Sequence, residues 1–233
     1  MTADITKVDS LIFDMDGTMW DAIASYCEIW RICFARHGSP FPFSDNEIKA
    51  YMGTPIDGIF DDLMRRTGVK FDREAFLRDI ARVEDEEMIR LGGKLYPGVV
   101  DGIKQLSQHY RLFMLSNCSR YGLRNFMAFS GTTPYFTDSL TWGERSVPKS
   151  ENLKELIARH SLQCPIYVGD TQADCDETHR AGIDFAWASW GFGECADYDL
   201  KFSSFPELTA FFLQQTSKKN IINDHYDTSW IKQ

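Results

Sequence analysis

The 233-residue chain has no apolar run long enough to span a bilayer, no Cys-x-x-Cys pair and no surplus of basic residues. Each absence removes a class of function. Without about twenty consecutive apolar residues there is no transmembrane helix to place. The segment Met1-Thr-Ala-Asp-Ile-Thr-Lys7 lacks the basic and apolar regions of a secretion signal, so a cytoplasmic location is expected. Cys27, Cys33, Cys118, Cys164, Cys175 and Cys195 show no zinc-ligand spacing and read as reduced, mostly buried thiols. Lys and Arg number 25 against 34 Asp and Glu, a formal charge of −9, which disfavours sequence-independent nucleic-acid binding. No internal repeat or low-complexity tract is present. A composition 43% hydrophobic and 25% charged excludes a disordered or fibrous chain, and the length suits one α/β domain with a smaller partner.

Short unbroken apolar runs lie at Ser10–Phe13, Arg111–Leu115, Pro165–Val168 and Asp184–Ala188. Strands covered on both faces read this way. Helical spacings of three and four mark Val99–His109, Arg120–Ser130, Ser150–His160 and Ala173–Ala181. The alternation predicts an α/β fold with a doubly wound parallel sheet, whose ligands bind at the carboxyl ends of the strands. From about Asp21 to Leu95 the pattern is helical, with no strand predicted. Three apolar stripes there read as inner faces of a small bundle: Tyr26, Ile29, Trp30 and Phe34; Ile56, Ile59, Phe60 and Leu63; Phe76, Ile80 and Val83.

Polar residues follow the apolar runs in a telling order. Asp14 and Asp16 stand two apart after the first, so their side chains can converge on one point, with Gly17 allowing a sharp turn. Like charges that close imply a bound cation or a raised pKa. Alone, Asp-x-Asp-Gly is also an ordinary surface turn. Three further sites follow: Ser116-Asn117, Lys149, and Gly169-Asp170-Thr171-x-x-Asp174. Together with Asp14-x-Asp16-Gly17-Thr18, this ordered set resembles the haloacid dehalogenase-like superfamily, in particular its phosphoglycolate phosphatase-like phosphohydrolases, from Leu11 to about Ser189.

The resemblance implies a Rossmann-like catalytic core of residues 1–19 and 96–216 and an inserted helical cap of residues 20–95. The polar segment 217–233 falls outside it as a C-terminal tail, a terminus either mobile or docked through Ile221, Ile222, Tyr226, Trp230 and Ile231. Hinges are expected near Met19-Trp20 and Leu95–Gly98. By the same resemblance Asp14 is the nucleophile that forms an aspartyl-phosphate. Asp16 is the general acid and then base, its backbone carbonyl a metal ligand, and Lys149 stabilises the transferring charge. Lys149 is preceded by Pro148 and followed by Ser150-Glu151-Asn152, where many relatives continue Lys-Pro, and Lys154 is the alternative.

Asp170 at a strand end faces Asp14, and the pair would hold a hard divalent ion. An all-oxygen set suits magnesium better than zinc. Asp174, one helical turn on, binds that ion directly, binds it through water, or simply favours a helix N-terminus capped by Asp170 or Thr171. Ser116 and Asn117 would offer a hydroxyl and amides to phosphate oxygens, helped by the positive end of a following helix. Thr18 either contacts phosphate or holds the turn. Gly53-Thr54-Pro55 reads as a cap loop over the site, and Arg31, Arg65 and Arg66 as partners for a substrate carboxylate or as solvated helix faces. Trp20 either walls the substrate pocket or packs the hinge.

The expected activity is Mg2+-dependent hydrolysis of a small phosphorylated metabolite, phosphoglycolate-like or a sugar phosphate. A phosphomutase of the same superfamily and a non-catalytic metal- or phosphate-binding module are the alternatives. Asp16 argues against haloacid dehalogenation, which does without a second aspartate. Monomer and homodimer are both compatible with the sequence.

Overall fold

The computed structural model describes residues 4–227, with side chains described as far as Thr216. Strand β1 (Ser10–Phe13) leads through a tight turn to β2 (Trp20–Asp21). Helices α1 (Ile23–Arg36), α2 (Asp45–Lys49), α3 (Ile56–Thr67) and α4 (Arg73–Leu91) follow, and β3 (Lys94–Leu95) then pairs antiparallel with β2. The chain continues with α5 (Val99–Leu106), β4 (Arg111–Ser116), α6 (Gly122–Ser130), β5 (Asp138–Thr141) and α7 (Trp142–Arg145). Helix α8 (Lys149–His160), β6 (Pro165–Gly169), α9 (Gln172–Ala181), β7 (Asp184–Ala188), β8 (Leu200–Phe202) and α10 (Phe205–Asp227) complete it.

Six strands form one sheet in the order β5-β4-β1-β6-β7-β8, and every neighbouring pair is parallel. Alternation along the strands decides which helices cover which face. Leu11 and Phe13 of β1 join Val99 and Ile103 of α5 and Phe205 and Leu208 of α10 in one buried cluster. Ile12 points the other way, with Leu153 and Leu156 of α8 and Cys175 of α9. Burial on both faces is why these strands carry unbroken apolar runs. Among the described residues no helix is long and apolar enough to cross a membrane.

The four expected strands form, and three features differ from expectation. The edge strands β5 and β8 were not foreseen, being short and partly polar, as edges are. Nor was the β2–β3 ribbon, which pairs Trp20 with Leu95 and Asp21 with Lys94 where the helical segment leaves and rejoins the sheet. Helix α10 runs without interruption past Ser217, so no structural break marks the start of the polar tail. Trp230 and Ile231 lie outside the described residues.

Within α1–α4 the expected stripes are buried except for Tyr26 and Ile56, which are half-buried and line a pocket. Trp30, Phe34 and Phe76 form mutual ring contacts at 5.6–6.3 Å between centroids, joined by Phe60, Phe41 and Phe71. Aromatic pairs in such geometries add about 0.5–1.5 kcal/mol each beyond burial. This cluster is continuous with the one covering the α5–α10 face of the sheet.

Candidate active site

Parallel register brings the polar residues to one level. Phe13 is opposite Met114 of β4 and Val168 of β6, so Asp14 emerges at the same sheet edge as Ser116 and Asp170. The Asp14 amide donates to the Val168 carbonyl at 2.8 Å, fixing the first residue beyond β1. The chain then turns back on itself, the Met19 amide reaching the Met15 carbonyl at 2.8 Å.

Asp14, Asp170 and Asp174 are all buried, and each offers a carboxylate oxygen within 4.8 Å of the others. Lys149 is the first residue of α8, and its buried ammonium donates to Asp14 Oδ1 at 3.2 Å and to Asp174 Oδ1 at 2.5 Å. Lys154 instead pairs with Glu151 at the surface, which removes it as the alternative. Three carboxylates against one ammonium leave a formal charge of −2. A buried −2 is untenable unless protons or a divalent cation neutralise it. Burial, with Asp174 and Asp14 adding to it, pushes the Asp170 carboxyl well above the usual range. Burial lifts Asp14 to about 6, Lys149 pulling the other way. Burial by itself lowers the Lys149 pKa, but Asp14 and Asp174 outweigh it and raise it well above the usual lysine value.

Asp174 caps the helix and also holds the lysine. Its Oδ2 accepts from Thr171 Oγ1 at 2.7 Å and the Thr171 amide at 3.1 Å, closing a capping box at the start of α9, while Oδ1 holds Lys149. Both oxygens are thus engaged, which leaves Asp14 and Asp170 as the better placed direct ligands for a cation.

Asp16 stands apart from that cluster. Trp20 Nε1 donates to its Oδ1 at 2.9 Å and the Tyr26 hydroxyl to its Oδ2 at 3.0 Å. Burial and the Asp14 charge nonetheless lift its pKa to about 8. Trp20 therefore orients Asp16 and packs edge-on against Phe126 at 5.0 Å; it is wholly buried and does not wall the pocket.

The pocket beside Asp14 and Asp16 is walled by Ser116, Asn117 and Cys118 from the sheet edge and by residues of α1–α4. Ser116 lies buried at the end of β4. The Asn117 amide donates to the Gly53 carbonyl at 2.8 Å, so the expected loop Gly53-Thr54-Pro55 does lie over the site. Helix α6 starts at Gly122, later than expected, so its first turn is separated from Ser116 by five residues. Thr18 has no exposed surface and is not among the pocket walls; its carbonyl accepts from Trp190 Nε1 at 3.1 Å, so the turn role holds and the phosphate contact does not. Arg31, Arg65 and Arg66 are also absent from the pocket, pairing with Glu28, Asp62 and Glu47. Burial, then Glu84, Asp16 and Asp14, push the Cys118 thiol well up, which argues against a reactive thiolate there.

Two elements escaped sequence reasoning. The loop after β7 carries Gly191 and Phe192, whose amide donates to Asp170 Oδ2 at 2.7 Å. A Cβ on Gly191 would stand 2.3 Å from Asp170 Cβ, and one on Gly17, at φ +79°, would stand 2.1 Å from Asp170 Oδ2. Only glycine at both places lets the backbone close around that carboxylate. Trp190-Gly191-Phe192-Gly193 directly after an apolar run was the available signal. The other is Glu84 of α4, buried on the Ile80 stripe at i+4, where Ser119 Oγ donates to it at 2.8 Å and burial lifts it to about 7.

Carboxylates from two strand ends and the first turn of α9 thus gather around a buried lysine, and residues 11–188 match the haloacid dehalogenase-like hydrolase family. The chain belongs to that family. It is 26% identical over 194 residues to a phosphoglycolate phosphatase of Rhodobacter capsulatus, covering 78% of this chain and 85% of that one. A phosphoglycolate phosphatase of Aquifex aeolicus is 26% identical over 187 residues, with the same shares covered. In fold it is similar to a haloacid dehalogenase-like family hydrolase from Streptococcus pneumoniae, at TM-score 0.76 and 22% identity over 89% of this chain and 99% of the other. The magnesium-bound HAD-hydrolase YfnB of Bacillus subtilis gives TM-score 0.67 at 18% identity, over 88% and 99%.

Proposed function

We propose that this hydrolase is a magnesium-dependent phosphomonoesterase that works through an aspartyl-phosphate on Asp14. The observation that carries the reading is the pair of carboxylates at the end of β1 set in different surroundings, Asp14 on the Lys149 ammonium and Asp16 on two neutral donors, Trp20 and Tyr26. Burial raises both carboxyls, Asp14 to about 6 against the pull of Lys149, and Asp16, which no cation holds, further to about 8. Carboxyls separated in this way take the roles of nucleophile and acid.

Asp14 Oδ attacks phosphorus and the ester oxygen departs with the Asp16 proton. Asp16, now a carboxylate, takes a proton from the water that attacks phosphorus in turn, and the P–O bond to Asp14 breaks. Phosphate leaves with Asp14 ionised and Asp16 again protonated. Lys149 holds the attacking carboxylate and faces the charge that gathers on the phosphoryl oxygens. Ser116 and Asn117 stand at the next strand end to receive those oxygens. Asp14 and Asp170, with the Asp16 carbonyl and Asp174 in support, would hold the Mg2+, which supplies charge neutralisation to the phosphoryl group. The oxygen donor set and the uncompensated −2 fit such an ion. The names of the R. capsulatus and A. aeolicus relatives favour phosphatase over phosphomutase. We further take residues 20–95 as a cap over a core of residues 1–19 and 96–216, with the β2–β3 ribbon as its hinge.

Chelation is expected to abolish hydrolysis of an aryl phosphate and Mg2+ to restore it; turnover indifferent to chelator would refute the metal role. The same ion should raise Tm, and by more at pH 8.5 than at pH 6. The folded-state pKa values of Asp14, Asp16 and Asp170 lie above their ordinary value of 3.8. Their contribution to stability is therefore complete below about pH 4 and is lost as pH rises through 6 to 8, where a cation compensates for it. A Tm gain that shrank with pH would contradict the proposed site.

Tyr26→Phe offers a test of the acid. The rate should fall at high pH as Asp16 loses its proton near 8. The Tyr26 hydroxyl donates to the ionised form and so lowers that pKa. Its removal should move the alkaline limb of kcat/KM upward by at most about one unit. A limb that stayed in place would belong to another group.

A further inference from the structure

The pocket next to Asp14 and Asp16 is a cleft open to solvent, lined from the sheet edge and from α1–α4. Its walls are mostly apolar: Ile29, Trp30, Ile48, Met52, Ile56 and Ile59 face it from α1, α2, α3 and the loop between the last two. Among Asp, Glu, Lys and Arg its walls hold only carboxyl side chains, Asp14, Asp16 and Glu84. Among the described residues no Lys or Arg lines it. Lys149 is held by Asp14 and Asp174, Arg66 pairs with Glu47 and Arg124 with Asp85, while the exposed Lys49 lies over the Phe192 ring at 5.3 Å.

Several polar side chains of the walls are also taken, which leaves the Thr54 and Ser116 hydroxyls as the pocket's neutral polar groups. The Tyr26 hydroxyl binds Asp16, the Tyr51 hydroxyl binds Asp62, Ser119 binds Glu84, and the Asn117 amide binds Gly53. A substrate carboxylate would leave water for isoleucine and methionine side chains, with the buried Glu84 as its neighbour. Burying such a charge without a partner is strongly unfavourable. The several hydroxyls of a sugar would meet the same walls, at a smaller cost each. An apolar chain gains from them.

We propose that this pocket takes an uncharged, largely apolar organic group, so that the preferred substrate is the phosphate monoester of an apolar alcohol and not a phosphorylated acid or sugar. The inference rests on the phosphomonoesterase reading for its reaction, and on the pocket walls alone for its specificity. Glu84 is the specificity-determining residue against anions.

The test uses the full chain with Mg2+. Steady-state kcat/KM is measured for ethyl, butyl and hexyl phosphate, phosphoglycolate and glucose 6-phosphate. Binding of hexylphosphonate and phosphonoacetate is measured by calorimetry, independently of turnover. Expected is a rise of about fourfold per methylene, roughly 250-fold from ethyl to hexyl, with phosphoglycolate below ethyl phosphate. Glu84→Gln should narrow the gap between those last two by about tenfold while leaving the alkyl gradient intact.

Phosphoglycolate or glucose 6-phosphate turned over as well as hexyl phosphate would overturn the inference and leave the phosphatase standing, as would a flat alkyl series. A loss confined to phosphoglycolate in Lys49→Ala would also overturn it, since it would show a cation serving the carboxylate. No turnover of any ester, with hexylphosphonate still bound more tightly than phosphonoacetate, would remove the phosphatase and keep the pocket assignment. No turnover and no such preference would remove both.

Discussion

Asp14→Asn is expected to reduce kcat for any phosphomonoester by at least about four orders of magnitude while the protein stays folded. An amide has nearly the shape of the carboxylate but does not attack phosphorus, so the loss falls on the chemical step and not on the packing of β1. The backbone bond from Asp14 to Val168 is unaffected by the change. Stability should hold or rise, because one of three buried like charges is removed and Lys149 keeps Asp174 as partner. Single-turnover kinetics with acid quench supply the direct check, since wild type should accumulate protein-bound phosphate that hydroxylamine releases and the variant should not. A variant turning over within tenfold of wild type would end the case for Asp14 as nucleophile.

Lys149→Met should damage both stability and rate. The lysine is as buried as the carboxylates it joins, so its removal leaves Asp14 and Asp174 facing each other with no intervening charge. Breaking a buried pair from one side costs about 3–5 kcal/mol, a fall in Tm of roughly 10 °C for a chain of this size. Hydrolysis should drop by about 10²–10³, as when one preorganised donor to a transition-state oxyanion is removed. Mg2+ should recover part of the Tm loss and little of the rate, because the ion replaces the missing charge but not the ammonium held on Asp14. Thermal melts with and without Mg2+, paired with kcat, separate the two effects. A Lys149→Met protein with wild-type Tm and rate would mean that the ammonium is an incidental buried group.

Much of this site could be read before any coordinates. Parallel strands covered on both faces appear as unbroken apolar runs, and the residues just after each run must lie at one sheet edge. That logic located Asp14, Asp16, Ser116, Asn117, Asp170 and Asp174. Lys149 needed the resemblance as well, since it opens a helix and does not end a strand. Thr18 and the arginines show where adjacency in sequence misleads. Thr18 lies inside the turn it helps to form, and Arg31, Arg65 and Arg66 sit on outward helix faces beside acidic partners three or more residues away.

What remained hidden depended on distance through space. Glu84 belongs to the run Glu84-Asp85-Glu86-Glu87, and only the packing of α4 decides which of these acids turns inward. Gly191 and Phe192 contribute an amide and the lack of a side chain, neither of which has a chemical signature in sequence.

The amino-acid order by itself determined the parallel sheet, the helical insertion and the gathering of carboxylates at the strand ends, because those follow from local periodicity and the direction of each strand. Tertiary structure alone decided the protonation contrast between Asp14 and Asp16, the glycine cradle of Asp170 and the apolar, cation-free pocket. Burial, electrostatic balance and cavity shape are properties of groups brought together from distant parts of the chain, and no single segment contains them.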